Sequence, residues 1–195
     1  GRLTISNTTE AANVVAKIKK YAEKSPSYDP NAGTCGASST STFGDWKNQM
    51  IMVSDDEDGS TYVDHTEQVA ARIENDYPWV NINKIHSDAY VQESTPGGER
   101  FPDVYEEIEH EVQDGVIAVN YIGHGGEVGW AEERFLDLSM INNWTNSTHL
   151  PVFMTATCEF TRFDDPDRTS AGEQLVLNPE GGAIAMFTTW RLVYA

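Results

Sequence analysis

The chain is short of cysteine, of basic residues and of long apolar runs, and each shortage closes off a class of protein. Its two cysteines, Cys35 and Cys158, are too few for a disulfide scaffold. A bridge between them is not expected, because Cys35 sits in the loop-like stretch Gly33-Thr34-Cys35-Gly36 while Cys158 ends an apolar run. Only 13 Lys and Arg stand against 31 Asp and Glu, a formal net charge of −18. Such a surface repels phosphate, which argues against nucleic acid as a partner. The same charge suits an exported or salt-exposed protein, bound Ca²⁺, a cationic substrate segment, or a surface that is acidic only for solubility. No run approaches the roughly 18 apolar residues of a membrane span.

What is present is alternation. Hydrophobic residues make up 39% of the chain, enough for a packed core and well above a disordered composition. Asn7-Thr8-Thr9-Glu10 has the form of a capping box ahead of a helix whose apolar face would be Val14, Val15, Ile18 and Tyr21. Ser25 to Trp46 reads as loop. Strands are expected at Gln49–Val53, Val80–Ile85, Val116–Ile122, Leu150–Thr157 and Gly182–Thr188, with helices near 64–77, 102–113, 138–144 and 171–177. This pattern predicts an α/β fold, a three-layer αβα sandwich with a mainly parallel sheet covered on both faces. Residues 1–195 are expected to form a single domain. Its abrupt ends, a strand-like Gly1-Arg2-Leu3-Thr4-Ile5 and a stop just after a strand, suggest a piece of a longer multidomain protein.

Two strand ends carry the chemistry. One run closes as Tyr121-Ile122-Gly123-His124-Gly125-Gly126, the other as Met154-Thr155-Ala156-Thr157-Cys158. If both strands lie parallel in one sheet, His124 and Cys158 emerge together at its carboxyl edge, where open α/β sheets place ligands. A thiolate beside an imidazole is the minimum for nucleophilic catalysis. The glycines beside His124 allow close backbone approach, and the Gly125 N–H could help hold an oxyanion. Taken alone, His124 could be a structural histidine in a glycine turn and Cys158 a small packed hydrophobe; their pairing favours function. The other histidines (His65, His86, His110, His149) lack such framing and read as solvated or lightly packed.

The acidic loop Asp55-Asp56-Glu57-Asp58 offers a carboxylate to orient His124. Its competing reading is calcium, but Ser54-x-Asp56-x-Asp58-Gly59 lacks the first acid and the final glutamate of an EF-hand loop. Ca²⁺ as a structural ion in a looser site stays open, and no cofactor is required. Zinc held by His124, Cys158 and a carboxylate matches no compact zinc motif. The Gly-Gly pairs lack a phosphate-loop pattern, and three Asn-x-Ser/Thr sequons begin at Asn7, Asn143 and Asn146.

With these residues in place, the chain resembles the gingipain-type cysteine peptidases, family C25 of the caspase-like clan. The resemblance rests on Ile122-Gly123-His124-Gly125 and Thr155-Ala156-Thr157-Cys158, and runs over essentially the whole chain. Thr157-Cys158-Glu159-Phe160, Ser170-Ala171-Gly172-Glu173 and Thr188-Thr189-Trp190-Arg191 look closest to the branch that serves the type IX secretion system. That branch removes the C-terminal sorting domain of exported cargo and, like a sortase, can transfer cargo to lipopolysaccharide. The resemblance implies Cys158 as nucleophile, His124 as general base and acid, and Asp56 as third acid. It implies oxyanion donors at the Gly125 and Cys158 N–H groups, and substrate contacts from Glu159, Trp190, Tyr194 and Asp64. It also implies secreted protein substrates, other type IX components as partners, and a place at the bacterial cell surface or outer membrane. An acidic docking module that keeps the fold without the chemistry is the alternative.

Overall fold

The computed structural model describes residues 1–22 and 44–193. Cys35, Tyr194 and most of the loop expected over Ser25 to Trp46 lie outside the described residues. Helix α1 (Thr8–Ala22) leads to β1 (Gln49–Ser54), α2 (Thr61–Asp76) and β2 (Asn81–His86). A hairpin of β3 (Glu93–Thr95) and β4 (Gly98–Arg100) precedes α3 (Pro102–Asp114) and β5 (Ala118–Ile122). A small antiparallel sheet follows, made of β6 (Gly125–Gly126), β7 (Gly129–Trp130) and β8 (Leu136–Asp137). The chain then forms α4 (Leu138–Asn143), β9 (Val152–Ala156), α5 (Ala171–Leu177) and β10 (Ala185–Phe187).

Five strands pair in parallel in the order β10-β9-β5-β1-β2. From β1 the chain moves outward to β2, then returns to the opposite side of β1 at β5 and continues through β9 to β10. The direction of growth therefore reverses between β1 and β5, and crevices form outside the carboxyl ends of strands at such a switch point. The apolar, β-branched runs form these strands because both faces are covered. Beyond Gln49 every residue of β1 is buried. Alternation sends Ile51 and Val53 into the larger core with Val104 and Ile108 of α3 and Leu175 of α5. Met50 and Met52 pack on the other face against Ala70 and Ile73 of α2. The three-layer α/β sandwich is the architecture expected from the sequence.

Helix α1 departs from its expected face. Val14 is buried, but Val15 and Ile18 are exposed, and the second buried residue is Lys17. Its ammonium donates to the carbonyls of Leu175, Val176 and Asn178 at 3.3, 2.9 and 2.9 Å, satisfying backbone acceptors at the end of α5. The helix turns toward α5 to make this cap, which rotates Val15 and Ile18 outward. The capping box is also displaced: Asn7 Oδ1 accepts from the Thr9 and Glu10 N–H groups, while Glu10 reaches back to the N–H of Ser6. His86, expected to be lightly packed, instead ends β2 between Ser54 Oγ at 2.6 Å and Glu67 at 2.8 Å. Among the described residues no helix is long and apolar enough to cross a membrane.

Burial lowers the Lys17 pKa to about 8. Above that pH the unfolded chain holds its Lys17 proton while the folded chain releases it, so stability rises as pH climbs from about 8 toward 10. The expected slope approaches about 1.4 kcal/mol per pH unit relative to Lys17→Met, which should lose it. Urea unfolding of both proteins across that window measures the difference.

Candidate active site

The carboxyl ends of β1, β5 and β9 converge. Beyond β1 lies the acidic loop, beyond β5 Gly123 and His124, and beyond β9 Thr157 and Cys158. His124 and Cys158 line one cleft of about 1090 Å³, closed on its sides by Val69 and Ile73 of α2 and by Leu192 and Val193.

The backbone at His124 is pinned on three sides. Its N–H donates to Asp55 Oδ2 at 2.8 Å. Its carbonyl accepts from Tyr121 Oη at 2.6 Å and from the Ala131 N–H at 2.9 Å. The flanking glycines are required by this packing. A Cβ at Gly123 would stand 2.4 Å from Asp55 Cβ and 2.6 Å from Tyr121 Oη, and one at Gly125 would stand 2.6 Å from Thr157 Oγ1. Tyr121 is itself fixed by stacking on Trp130, with ring centroids 4.3 Å apart.

The imidazole faces acids. His124 Nε2 lies 3.2 Å from Asp58 Oδ2, 3.2 Å from Tyr62 Oη and 3.5 Å from Glu57 Oε2. Tyr62 Oη donates to Asp58 Oδ2 at 2.8 Å, and its ring meets the imidazole edge to face. The Tyr62 hydrogen bond, then that from His124, holds the Asp58 carboxyl below its ordinary range. Burial, followed by Asp58, pushes the Tyr62 phenol up to about 12, so it stays a donor. An Nε2–H tautomer satisfies Asp58 and leaves Nδ1 with a free lone pair.

The expected third acid is placed elsewhere. Asp56 Oδ1 accepts from Ser87 Oγ at 3.1 Å, and the carboxylates beside the ring are those of Asp58 and Glu57. The reason is local: Asp58 and Gly59 both take left-handed backbone angles (φ 57° and 65°), which curls the loop back under His124. Helix α2 consequently starts at Thr61, earlier than expected, and this brings Tyr62 to the ring. Asp58 is one of the four acids that the sequence offers for orienting His124, whereas nothing in the sequence points to Tyr62; the Asp58-Gly59 turn is the signal that separates Asp58 from its neighbours.

The expected substrate contacts also rearrange. Glu159 has φ 48° and pairs with Arg162, away from the cleft lining. Trp190 stacks on Phe163 with centroids 5.3 Å apart, and Leu192 and Val193 line the cleft in its place. Asp64 accepts from Ser60 Oγ on the first turn of α2, and its neighbour His65 faces the cleft. The Cys158 thiol is partly exposed and free. Sγ donates to the Val193 carbonyl at 3.4 Å and accepts from the Val193 N–H at 3.5 Å. Among the described residues no hydrogen bond joins it to the His124 ring.

The model of peptidase family C25 matches residues 1–195. The chain is similar to the solved structure of the Arg-specific cysteine proteinase gingipain R, with TM-score 0.66 and 18% identity over 97% of this chain and 39% of that one. A complex of Porphyromonas gingivalis RgpB pro- and mature domains gives TM-score 0.64 and 17% identity, covering 95% of this chain and 40% of that one. A structure described as a protease gives 0.59 and 19%, covering 93% and 34%. The chain thus spans 34–40% of the length of these solved chains, and the likeness shows a shared fold. None of the curated proteins matches the chain.

Gly123→Ala should force a methyl group into Asp55 and Tyr121, at a cost of about 3 kcal/mol. Gly126→Ala, where a Cβ meets nothing within 4 Å, should change stability by no more than about 0.5 kcal/mol. Chemical denaturation of the two variants checks the contrast.

Proposed function

The chain belongs to peptidase family C25, and from that premise we propose a cysteine-type endopeptidase in which Cys158 is the nucleophile and His124 the general base and acid. The observation that carries the proposal is that the two residues leave neighbouring parallel strands, β5 and β9, into one cleft. Cys158 Sγ attacks the scissile carbonyl carbon while its proton passes to His124 Nδ1. The carbonyl oxygen becomes an oxyanion, and the N–H groups of Gly125 and Cys158 are the donors proposed to hold it. Collapse breaks the C–N bond, the amine takes the proton from His124, and the acyl group remains as a thioester. Water or an amine acceptor then opens the thioester. Asp58 takes the place expected of Asp56: it and Tyr62 orient the ring and stabilise the imidazolium through Nε2–H.

Val69, Ile73, Leu192 and Val193 suit an extended peptide that presents an apolar side chain to the cleft. At a finer level, we propose that the substrates are secreted proteins with a C-terminal sorting domain, handled as in the PorU branch of the family. The motifs around Cys158, Ser170 and Thr188 support that assignment. It carries with it a cell-surface location at the outer membrane, type IX partners, and transfer to a lipopolysaccharide amine as the alternative to hydrolysis. One observation favours the rival reading of an acidic docking module: the polar partners of the Cys158 thiol are the backbone groups of Val193.

Incubation with cargo carrying its sorting domain separates the two readings. The peptidase reading expects cleavage, a thioester seen by mass spectrometry, and loss of both in Cys158→Ala. Cargo binding without cleavage in the unaltered protein supports docking. Asp58→Asn should lower kcat by about 100-fold, and further than Asp56→Asn does. The reverse order would restore Asp56 as the orienting acid.

A further inference from the structure

A single guanidinium joins the two loops that carry the proposed catalytic pair. Glu127 lies three residues after His124, at the turn between β6 and β7, and Glu159 directly follows Cys158. Arg162 Nη1 stands 2.5 Å from Glu127 Oε1 and 3.5 Å from Glu159 Oε1. Glu127 is held from two further directions. Arg168 Nη1 lies 3.6 Å from its other carboxylate oxygen, and its carbonyl accepts from the Ala171 N–H at 2.7 Å. The Glu127 side chain is only 14% exposed, so this pair is screened less than an ordinary surface ion pair.

The His124 backbone does not need this link, because Asp55, Tyr121 and Ala131 already fix it. Gly125 is the residue the link governs. The His124 carbonyl accepts from the Ala131 N–H, which makes these two a hydrogen-bonded pair of the antiparallel ladder. The next pair, Gly125 with Trp130, is then a non-hydrogen-bonded one, and the Gly125 N–H points out of the hairpin. That N–H and the Cys158 N–H are the two donors proposed for the oxyanion, and they sit on separate loops. The loops touch at Gly125, where a Cβ would stand 2.6 Å from Thr157 Oγ1, so a small shift of the β6–β7 turn changes the donor spacing. We propose that Arg162 is a positioning residue, which clamps the two loops through Glu127 and Glu159 and thereby sets the spacing of the oxyanion donors. This role rests on the peptidase reading, since without an oxyanion the clamp has nothing to align.

The test is steady-state cleavage of cargo carrying its sorting domain, with Tm and Cys158 alkylation by iodoacetamide measured beside it. Arg162→Gln should lower kcat by at least about tenfold, because a donor displaced by about 1 Å loses much of its hold on the transition state. KM should stay within about twofold, since ground-state binding is not what the donors supply. The alkylation rate should hold as well, because thiol and imidazole keep their places. Glu127→Gln should lose as much as Arg162→Gln, and the double variant no more than either single, as expected of two groups that act as one. Arg162→Lys, which keeps the charge without the fork, should recover part of kcat. A lower Tm with kcat unchanged while the variants stay folded, additive losses in the double variant, or alkylation slowed in step with kcat overturns the proposal. Should Arg162→Gln not fold, Glu127→Gln decides by the same readouts. An unaltered protein that does not cleave overturns the peptidase reading and the clamp together, whereas cleavage at equal kcat in the variants overturns the clamp alone.

Discussion

The hydrogen bond from the His124 N–H to the buried Asp55 carboxylate joins the two halves of the sheet at the point where strand order reverses. Asp55 follows β1, from which the chain goes to β2; His124 lies just beyond β5, from which it goes to β9 and β10. Without that bond, His124 would leave an N–H unsatisfied beside a buried acid, a loss of about 1–3 kcal/mol. Burial is the larger influence on Asp55 and raises its pKa, and the His124 N–H works against it. The carboxylate is thus kept where its geometry is most needed and its charge least welcome. Glycine at 123 follows from the same contact, since any Cβ there would strike Asp55.

From this anchor the rest of the cleft is built outward. The parallel register sets Ile122 beside Ala156, so the residues after each strand, His124 and Cys158, enter the same space without a loop having to be long or flexible. The acidic loop then wraps beneath the imidazole and gives Nε2 its partners, leaving Nδ1 free. Two sets of acids result from one short stretch: Asp58 and Glu57 toward the ring, Asp55 and Asp56 toward Glu133. Burial, then the neighbouring acids, raise the Glu133 pKa, as burial and Asp56 raise that of Asp55.

Much of this was legible in the sequence because strands buried on both faces announce themselves. Met50-Ile51-Met52-Val53 and Val152-Phe153-Met154 are continuous apolar runs, and each gives way to polar residues, from Ser54 and Thr155 onward, that mark the strand's carboxyl end. What could not be read is where a short polar stretch turns. Asp56 and Asp58 are chemically equal candidates until the left-handed angles at Asp58 and Gly59 decide which carboxylate reaches the ring. The same limit applies to Glu159, whose φ of 48° sends its side chain to Arg162, and to Trp190, which prefers the face of Phe163. The burial of Lys17 could not be read either, because nothing local shows that three carbonyls at the end of α5 wait for an ammonium. The small strands β3, β4, β6, β7 and β8 are two or three residues long, too short for any period to register.

The central claim is that His124 and Cys158 act as one chemical unit across the ends of β5 and β9. The rate of Cys158 alkylation by iodoacetamide at pH 7, compared between the unaltered chain and His124→Ala, tests it without any assumption about substrate. A working pair should label at least about tenfold faster than the variant, because the imidazole takes up the thiol proton. Equal rates in the two proteins would mean that the ring and the sulfur share a cleft without sharing a proton.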